Sequence, residues 1–113
     1  MQRLPARLVS GSQLTTSVAT YYTSPANTIT TISAMTLTNT TAGAVTATVY
    51  LVPSAGTAGA DNVILSARTL AAGESYNVGS AIGQTLPAGG TIQALAGAGT
   101  SITLVASGYA TNP

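Results

Sequence analysis

The sequence predicts an all-β protein, an antiparallel β-sandwich of jelly-roll-like or Ig-like form with about eight short strands. Three observations lead there. In Val45-Thr-Ala-Thr-Val-Tyr-Leu-Val-Pro53, Val45, Ala47, Val49 and Leu51 share one parity, and Thr46, Thr48 and Tyr50 the other. A strand sends successive side chains to opposite faces, so this spacing makes one dry face and one hydroxyl-bearing face. Turn signals built from Gly, Pro, Asn and Ser then recur between apolar runs at roughly 8–12-residue intervals. Finally, nothing competes as a helix apart from 61–70, where Asp61 stands as an N-cap candidate before Val63, Ile64, Leu65 and Ala67.

Taken in order, residues 1–13 form an N-terminal arm and 14–113 the sandwich domain. The arm holds two of the three arginines, Pro5 and Ser10-Gly11-Ser12. Arg3, Leu4, Arg7 and Leu8 could share a helical face, but Pro5 and the short length argue for an extended segment, ordered by a neighbour or left loose. Leu14 to Tyr22 is a Thr- and Tyr-rich strand ended by the turn residues Ser24-Pro25-Ala26-Asn27. From Thr28 to Asn39, Ile29, Met35 and Leu37 share a parity that Ile32 breaks, which predicts a bulge or a strand buried on both sides. Asn39-Thr-Thr-Ala-Gly43 reads as a hairpin loop into the Val45 strand. That strand is placed at the centre of a sheet and ends at Pro53, which has no N–H for the ladder.

A Gly-rich loop, 54–62, leads to a strand from Val63 to Thr69 and another from Ser75 to Val78. Thr69-Leu-Ala-Ala-Gly73 and Thr85-Leu-Pro-Ala-Gly89 share a form, which predicts two tight turns with glycine at positive φ. Thr91 to Ala96 alternates with Ile92 and Ala94 on one face. After Gly97-Ala-Gly-Thr100, the stretch from Ser101 to Tyr109 sets Ile102, Leu104 and Ala106 against Thr103, Val105 and Ser107. The shared core is assigned to Met35, Leu37, Val45, Val49, Leu51, Ile92, Ile102 and Leu104.

Composition bounds the function. Only 4% of the 113 residues are charged, the net charge is +1, and every cation is arginine, against roughly 25% charged in ordinary domains. That gives no basic footprint for nucleic acid, and no apolar run approaches the ~20 residues that span a bilayer. Met1-Gln-Arg-Leu-Pro-Ala-Arg7 carries charge without an apolar stretch behind it, so no signal peptide is expected and the chain is expected to be made in the cytoplasm and used as it stands. A surface so poor in charge has little protection against association. This points to a place inside an assembly, or else to an extracellular domain with a Thr-rich coat.

With no His and no Cys, a histidine-assisted nucleophile, a zinc centre and a disulfide framework are excluded. The carboxylates are Asp61 and Glu74, both at loop or turn positions, where an Asx bond and a solvated hairpin charge explain them. Neither Gly56-Thr-Ala-Gly59 nor Gly97-Ala-Gly99 opens a helix or carries a P-loop lysine. Arg68, inside a strand, is expected to point outward or to pair with Glu74. Tyr21, Tyr22, Tyr50, Tyr76 and Tyr109 suit core edges or interfaces better than a sugar-stacking platform. No catalytic residue, metal ligand or cofactor is assigned. Arg3, Leu4, Arg7 and Leu8 are the candidate partner-binding residues, since arginine's fork suits carboxylates on a neighbour.

Tyr22-Thr-Ser-Pro-Ala-Asn-Thr28, Leu37-Thr-Asn-Thr-Thr41, Val49-Tyr-Leu-Val-Pro-Ser54, Leu70-Ala-Ala-Gly-Glu74, Leu86-Pro-Ala-Gly89 and a closing strand ending Ser107-Gly108 form a series. It resembles small cysteine-free β-proteins encoded among the virion structural genes of tailed bacteriophages, over most of residues 14–110. The resemblance implies a sandwich or jelly-roll domain that decorates a capsid or attaches to a tail, and it carries no catalytic residues. The expected function is therefore that of a non-enzymatic virion protein. It is read as a capsid decoration or cement protein, forming a homotrimer on the major capsid protein or another virion protein. The alternative is a tail- or baseplate-associated structural or carbohydrate-binding module.

Overall fold

The computed structural model describes residues 2–112, with side chains described from Leu4 to Thr111. Nine strands form among them: β1 (Gln2–Gln13), β2 (Ala19–Thr23), β3 (Ile29–Asn39), β4 (Val45–Val52), β5 (Val63–Leu70), β6 (Ser75–Asn77), β7 (Thr85–Leu86), β8 (Thr91–Ala96) and β9 (Ile102–Asn112). Gly79–Ala81 makes a single 3-10 turn, and the 61–70 segment is strand, not helix. Sheet I has the order β1-β9-β3-β6, with β7 also on β3; sheet II has the order β2-β8-β4-β5.

The pairings are nested and antiparallel. β1 pairs β9, β2 pairs β8, β3 pairs β6 and β7, and β4 pairs β5. The coil closes where β9 also pairs β3 and β8 also pairs β4. A long hairpin wound on itself in this way is a jelly roll, which decides between the two sandwich forms expected.

Two expectations need correcting, and a third is met. The segment 39–43 is not a hairpin loop, because β3 lies in sheet I and β4 in sheet II. The segment assigned as a separate arm is β1, the edge strand of sheet I, with Leu8 and Val9 in the core. The bulge expected because Ile32 breaks the parity of Met35 and Leu37 does form, and it leaves Ile29 facing solvent. It lies between Ile32 and Ala34, so Thr30 and Ile32 point inward before it, and Met35, Leu37 and Asn39 after it.

The core joins Ile32, Met35, Leu37, Ile102 and Leu104 of sheet I to Ala47, Val49, Ile92, Ala94 and Ala96 of sheet II, with Val45 and Leu51 partly buried against them. Long side chains of one sheet thus meet mostly short ones of the other. That fills a sandwich interior about 10 Å thick without Phe or Trp. The glycine turns also form. Glu74 N–H donates to Ala71 and Gly90 N–H to Pro87, with Gly73 and Gly89 at φ 73° and 84° in the third turn position, where a type II turn needs a residue at positive φ.

The sheet edges are guarded by shape. β1 slips register at Arg7/Val9 and Val9/Ser12, β2 at Thr20/Tyr22, and β5 twice against β4. At one β5 bulge Ala67 has φ 45° and its N–H donates to Thr48 Oγ1 at 3.0 Å. Bulges twist an edge away from strand addition, and Pro5 has no donor to offer a newcomer. These devices stand where lysine commonly does.

Each end of the sandwich has a buried polar pin. At one end, where β3 crosses to β4 and β5 to β6, Asn39 is fully buried. Its Nδ2 donates to the carbonyls of Gly43 at 2.8 Å and Leu70 at 3.0 Å, while Oδ1 accepts from Thr41 N at 2.9 Å and Thr41 Oγ1 at 2.7 Å. At the other end, β2 crosses to β3 and β7 to β8, tied by Ser24 N–H to Gly90 O and Gly89 N–H to Ser24 O. There Ser24 Oγ donates to Thr28 O at 3.0 Å. One hydroxyl holds one proton, so the 2.9 Å contacts run in one direction, Tyr22 O–H to Thr30 Oγ1 and Thr30 O–H to Ser24 Oγ. No buried side-chain polar atom among the described residues lacks a partner.

Candidate functional site

The outer face of sheet I is laid down in rows by strand register. Arg7 lies opposite Ser107, and Ser107 opposite Ala34; Pro5 lies opposite Tyr109, and Tyr109 opposite Thr31. Between these rows is a shallow depression of about 310 Å³ lined by Pro5, Ala6, Arg7, Ser33, Ser107, Gly108 and Tyr109. Gly108 belongs there for a packing reason, since a Cβ on it would run into the carbonyl oxygen of Thr31. Ser33 is lifted by the β3 bulge, and its Oγ donates to Ser107 O at 3.3 Å.

The four arm residues part company here. Arg7 is exposed in the depression, and its side chain makes no hydrogen bond or ion pair with a described residue. Leu8 is 7% exposed, because the bulge between Arg7 and Val9 turns two consecutive apolar side chains inward. Leu4, opposite Ala110, is 52% exposed. Arg3 pairs with Thr111 through its backbone, and its side chain lies outside the described residues. Tyr109, Ser33 and Ser107 were not singled out by sequence as a site. The available signal was the outward parity of Ser107 and Tyr109 around a glycine, but their neighbours come from strands far away in sequence.

The two carboxylates are not brought together. Asp61 precedes β5 and Glu74 follows it, so eight residues of strand separate them by about 25 Å, well beyond the roughly 5–10 Å a glycosidase pair needs. Glu74 Oε1 accepts the Ala71 N–H at 2.7 Å and holds the β5–β6 turn. The Asx role expected of Asp61 falls to its neighbour: Asn62 Oδ1 accepts from Gly59 N and Nδ2 donates to Thr57 O, both at 3.0 Å. Asp61 itself is exposed.

Arg68 points outward and lies over the Tyr76 ring at 4.0 Å, joining β5 of one sheet to β6 of the other. Tyr21, Tyr22 and Tyr76 pack on the core, Tyr50 is half-buried on sheet II and Tyr109 on sheet I. The five therefore make no shared platform. Among the described residues no group of three or more His, Cys, Asp or Glu gathers as metal ligands would.

No protein-family profile matches the sequence, and neither does any curated protein. A solved structure described as that of infectious bursal disease virus, Gx strain, aligns with 96% of this chain at a TM-score of 0.45 and 17% identity. The chain spans 30% of that protein's length, and a likeness at this level says nothing of what the chain does.

Proposed function

We propose that this chain is a non-enzymatic virion structural protein, a decoration or cement protein on the capsid of a tailed bacteriophage. It stiffens the head shell as a homotrimer in contact with the major capsid protein. The observation that carries the reading is a fully satisfied jelly roll with guarded edges and faces of Thr, Ser and small apolar residues, which offers surfaces for packing and no reacting group. Its sequence series resembles that of phage virion proteins. Because Pro5 and the bulges disfavour strand addition, association runs through sheet faces and not by extending a sheet. The carbohydrate-binding alternative draws little support from five dispersed tyrosines.

Electron microscopy of intact particles tests the placement, with density expected over the shell at local threefold positions. Particles assembled without the protein should lose their genome at lower temperature. Density confined to the tail, or shells of unchanged strength, would overturn the capsid reading.

A further inference from the structure

Charges are so scarce in this chain that those left unpaired can be followed one by one. Arg68 is stacked on Tyr76 and Glu74 caps a turn. Among side chains described, that leaves Arg7 in the sheet I depression and Asp61 on the β4–β5 loop, both exposed and neither in an ion pair with a described residue. The loop is pre-organised. Besides the two Asn62 side-chain bonds, Asn62 N–H donates to Gly59 O at 3.1 Å and Leu51 N–H to Asn62 O at 3.0 Å. A loop already held in one shape loses little entropy on docking. Its residues, Ser54-Ala-Gly-Thr-Ala-Gly-Ala60, are small enough to approach a shallow depression closely.

We propose that the β4–β5 loop of a second copy docks in the depression, with its Asp61 carboxylate on the Arg7 guanidinium and beside the Ser33 and Ser107 hydroxyls. The outer face of sheet I looks away from sheet II, which carries the loop, so the pair forms between copies and not within one. A guanidinium fork takes a carboxylate through two parallel N–H···O bonds, and small apolar loop residues around the pair shed water from it. Because depression and loop are different patches, the contact is heterologous. Each copy offers one of each, so the contact repeats and closes into a ring when the rotation permits, the trimer being the ring proposed above. The inference rests on the reading of the chain as a self-associating structural protein.

Charge reversal tests it. Light scattering over a concentration series on the full chain should give an assembly whose dissociation constant rises at least about tenfold in Arg7→Asp and in Asp61→Arg. Like charges juxtaposed at an interface weaken it that strongly. The double variant, Arg7→Asp with Asp61→Arg, should recover to within about threefold of the natural protein. Arg7→Gln, which keeps the side-chain stem, replaces the reversal if the edge strand does not tolerate Asp, and should weaken assembly in the same direction. Single variants that assemble unchanged, a double variant no better than the singles, or a natural chain that stays monomeric at millimolar concentration would each overturn the proposal. Particle microscopy keeps the two readings apart. Protein found on shells while its self-association ignores both reversals sinks this contact alone, whereas its absence from particles sinks the virion role whatever the charges do.

Discussion

The two ends of the sandwich solve one problem with different chemistry. The chain crosses between sheets four times at the Asn39 end and twice at the other, and at both it must satisfy backbone groups that leave the ladders. At the first, a single amide, Asn39, ties the β3–β4 and β5–β6 crossings, serving two carbonyls, one N–H and one hydroxyl. The other uses a relay of hydroxyls from Tyr22 through Thr30 to Ser24, ending on the Thr28 carbonyl. An amide has fixed donors and acceptors, so one side chain pins both of these crossings and no other natural side chain of that size can replace it. Hydroxyls rotate, and the load is divided among several residues. The first end is therefore brittle to substitution and the second graded.

Replacing Asn39 should give the largest loss. Asn39→Leu keeps the branched heavy-atom shape but leaves the Leu70 carbonyl without its side-chain donor and Thr41 N–H without its acceptor, while the Gly43 carbonyl keeps the Thr41 hydroxyl at 3.0 Å. At about 1–3 kcal/mol for each buried group left unpaired, the loss is on the order of 3–5 kcal/mol, a large share of a domain's total stability. In Asn39→Asp the acceptor stays while a carboxylate faces two carbonyls. Burial and that repulsion raise its pKa in the folded state, so the folded protein holds the proton more tightly and the defect should shrink as pH falls. Urea unfolding at neutral and acid pH measures both. A loss under about 1 kcal/mol for Asn39→Leu would mean water reaches the junction.

That brittle end is also where the sequence misled. Strands β4, β8 and β9 were legible because their period of two is unbroken, and the β3 bulge because Ile32 breaks the parity of Met35 and Leu37. The five residues from Asn39 to Gly43 suit a hairpin and a crossing equally well. What separates them is the burial of Asn39, and asparagine is common in exposed turns too. β1 was hidden for a related reason. Leu8 and Val9 are adjacent, which fits no strand period, and only paired bulges against β9 turn both inward. Of the candidate site, Arg7 was visible as a rare charge, whereas Tyr109 and Ser33 meet it only through pairing of β1, β9 and β3.

Thr30→Val should have the next largest effect. The isosteric swap keeps the packing of a fully buried position but removes the middle of the relay. Ser24 Oγ loses a donor and Tyr22 O–H loses an acceptor, while Ser24 still reaches Thr28 O. About 1–3 kcal/mol is expected, below the Asn39→Leu loss. Equal losses at the two residues would remove the contrast between a brittle end and a graded one.

Tyr22→Phe sharpens the comparison with the smallest change. Tyr22 is half-buried, and its ring packs on the core with or without the hydroxyl. Only the first donor of the relay is lost, and water can reach the rim of a half-buried site, so about 0.5–1.5 kcal/mol is expected. The relay makes a stronger claim about the pair. Once Thr30→Val has removed the acceptor, the Tyr22 hydroxyl has no bond left to lose there, so adding Tyr22→Phe should cost little or even recover some of the deficit. Groups sharing one network depart from additivity by about 0.5–3 kcal/mol, whereas independent sites add to within about 0.3–0.5 kcal/mol. Thermal unfolding of the two single variants and the double reads that difference directly. Strict additivity would mean the two hydroxyls stabilise this end separately, and the directed chain from Tyr22 to Thr28 would have to be given up.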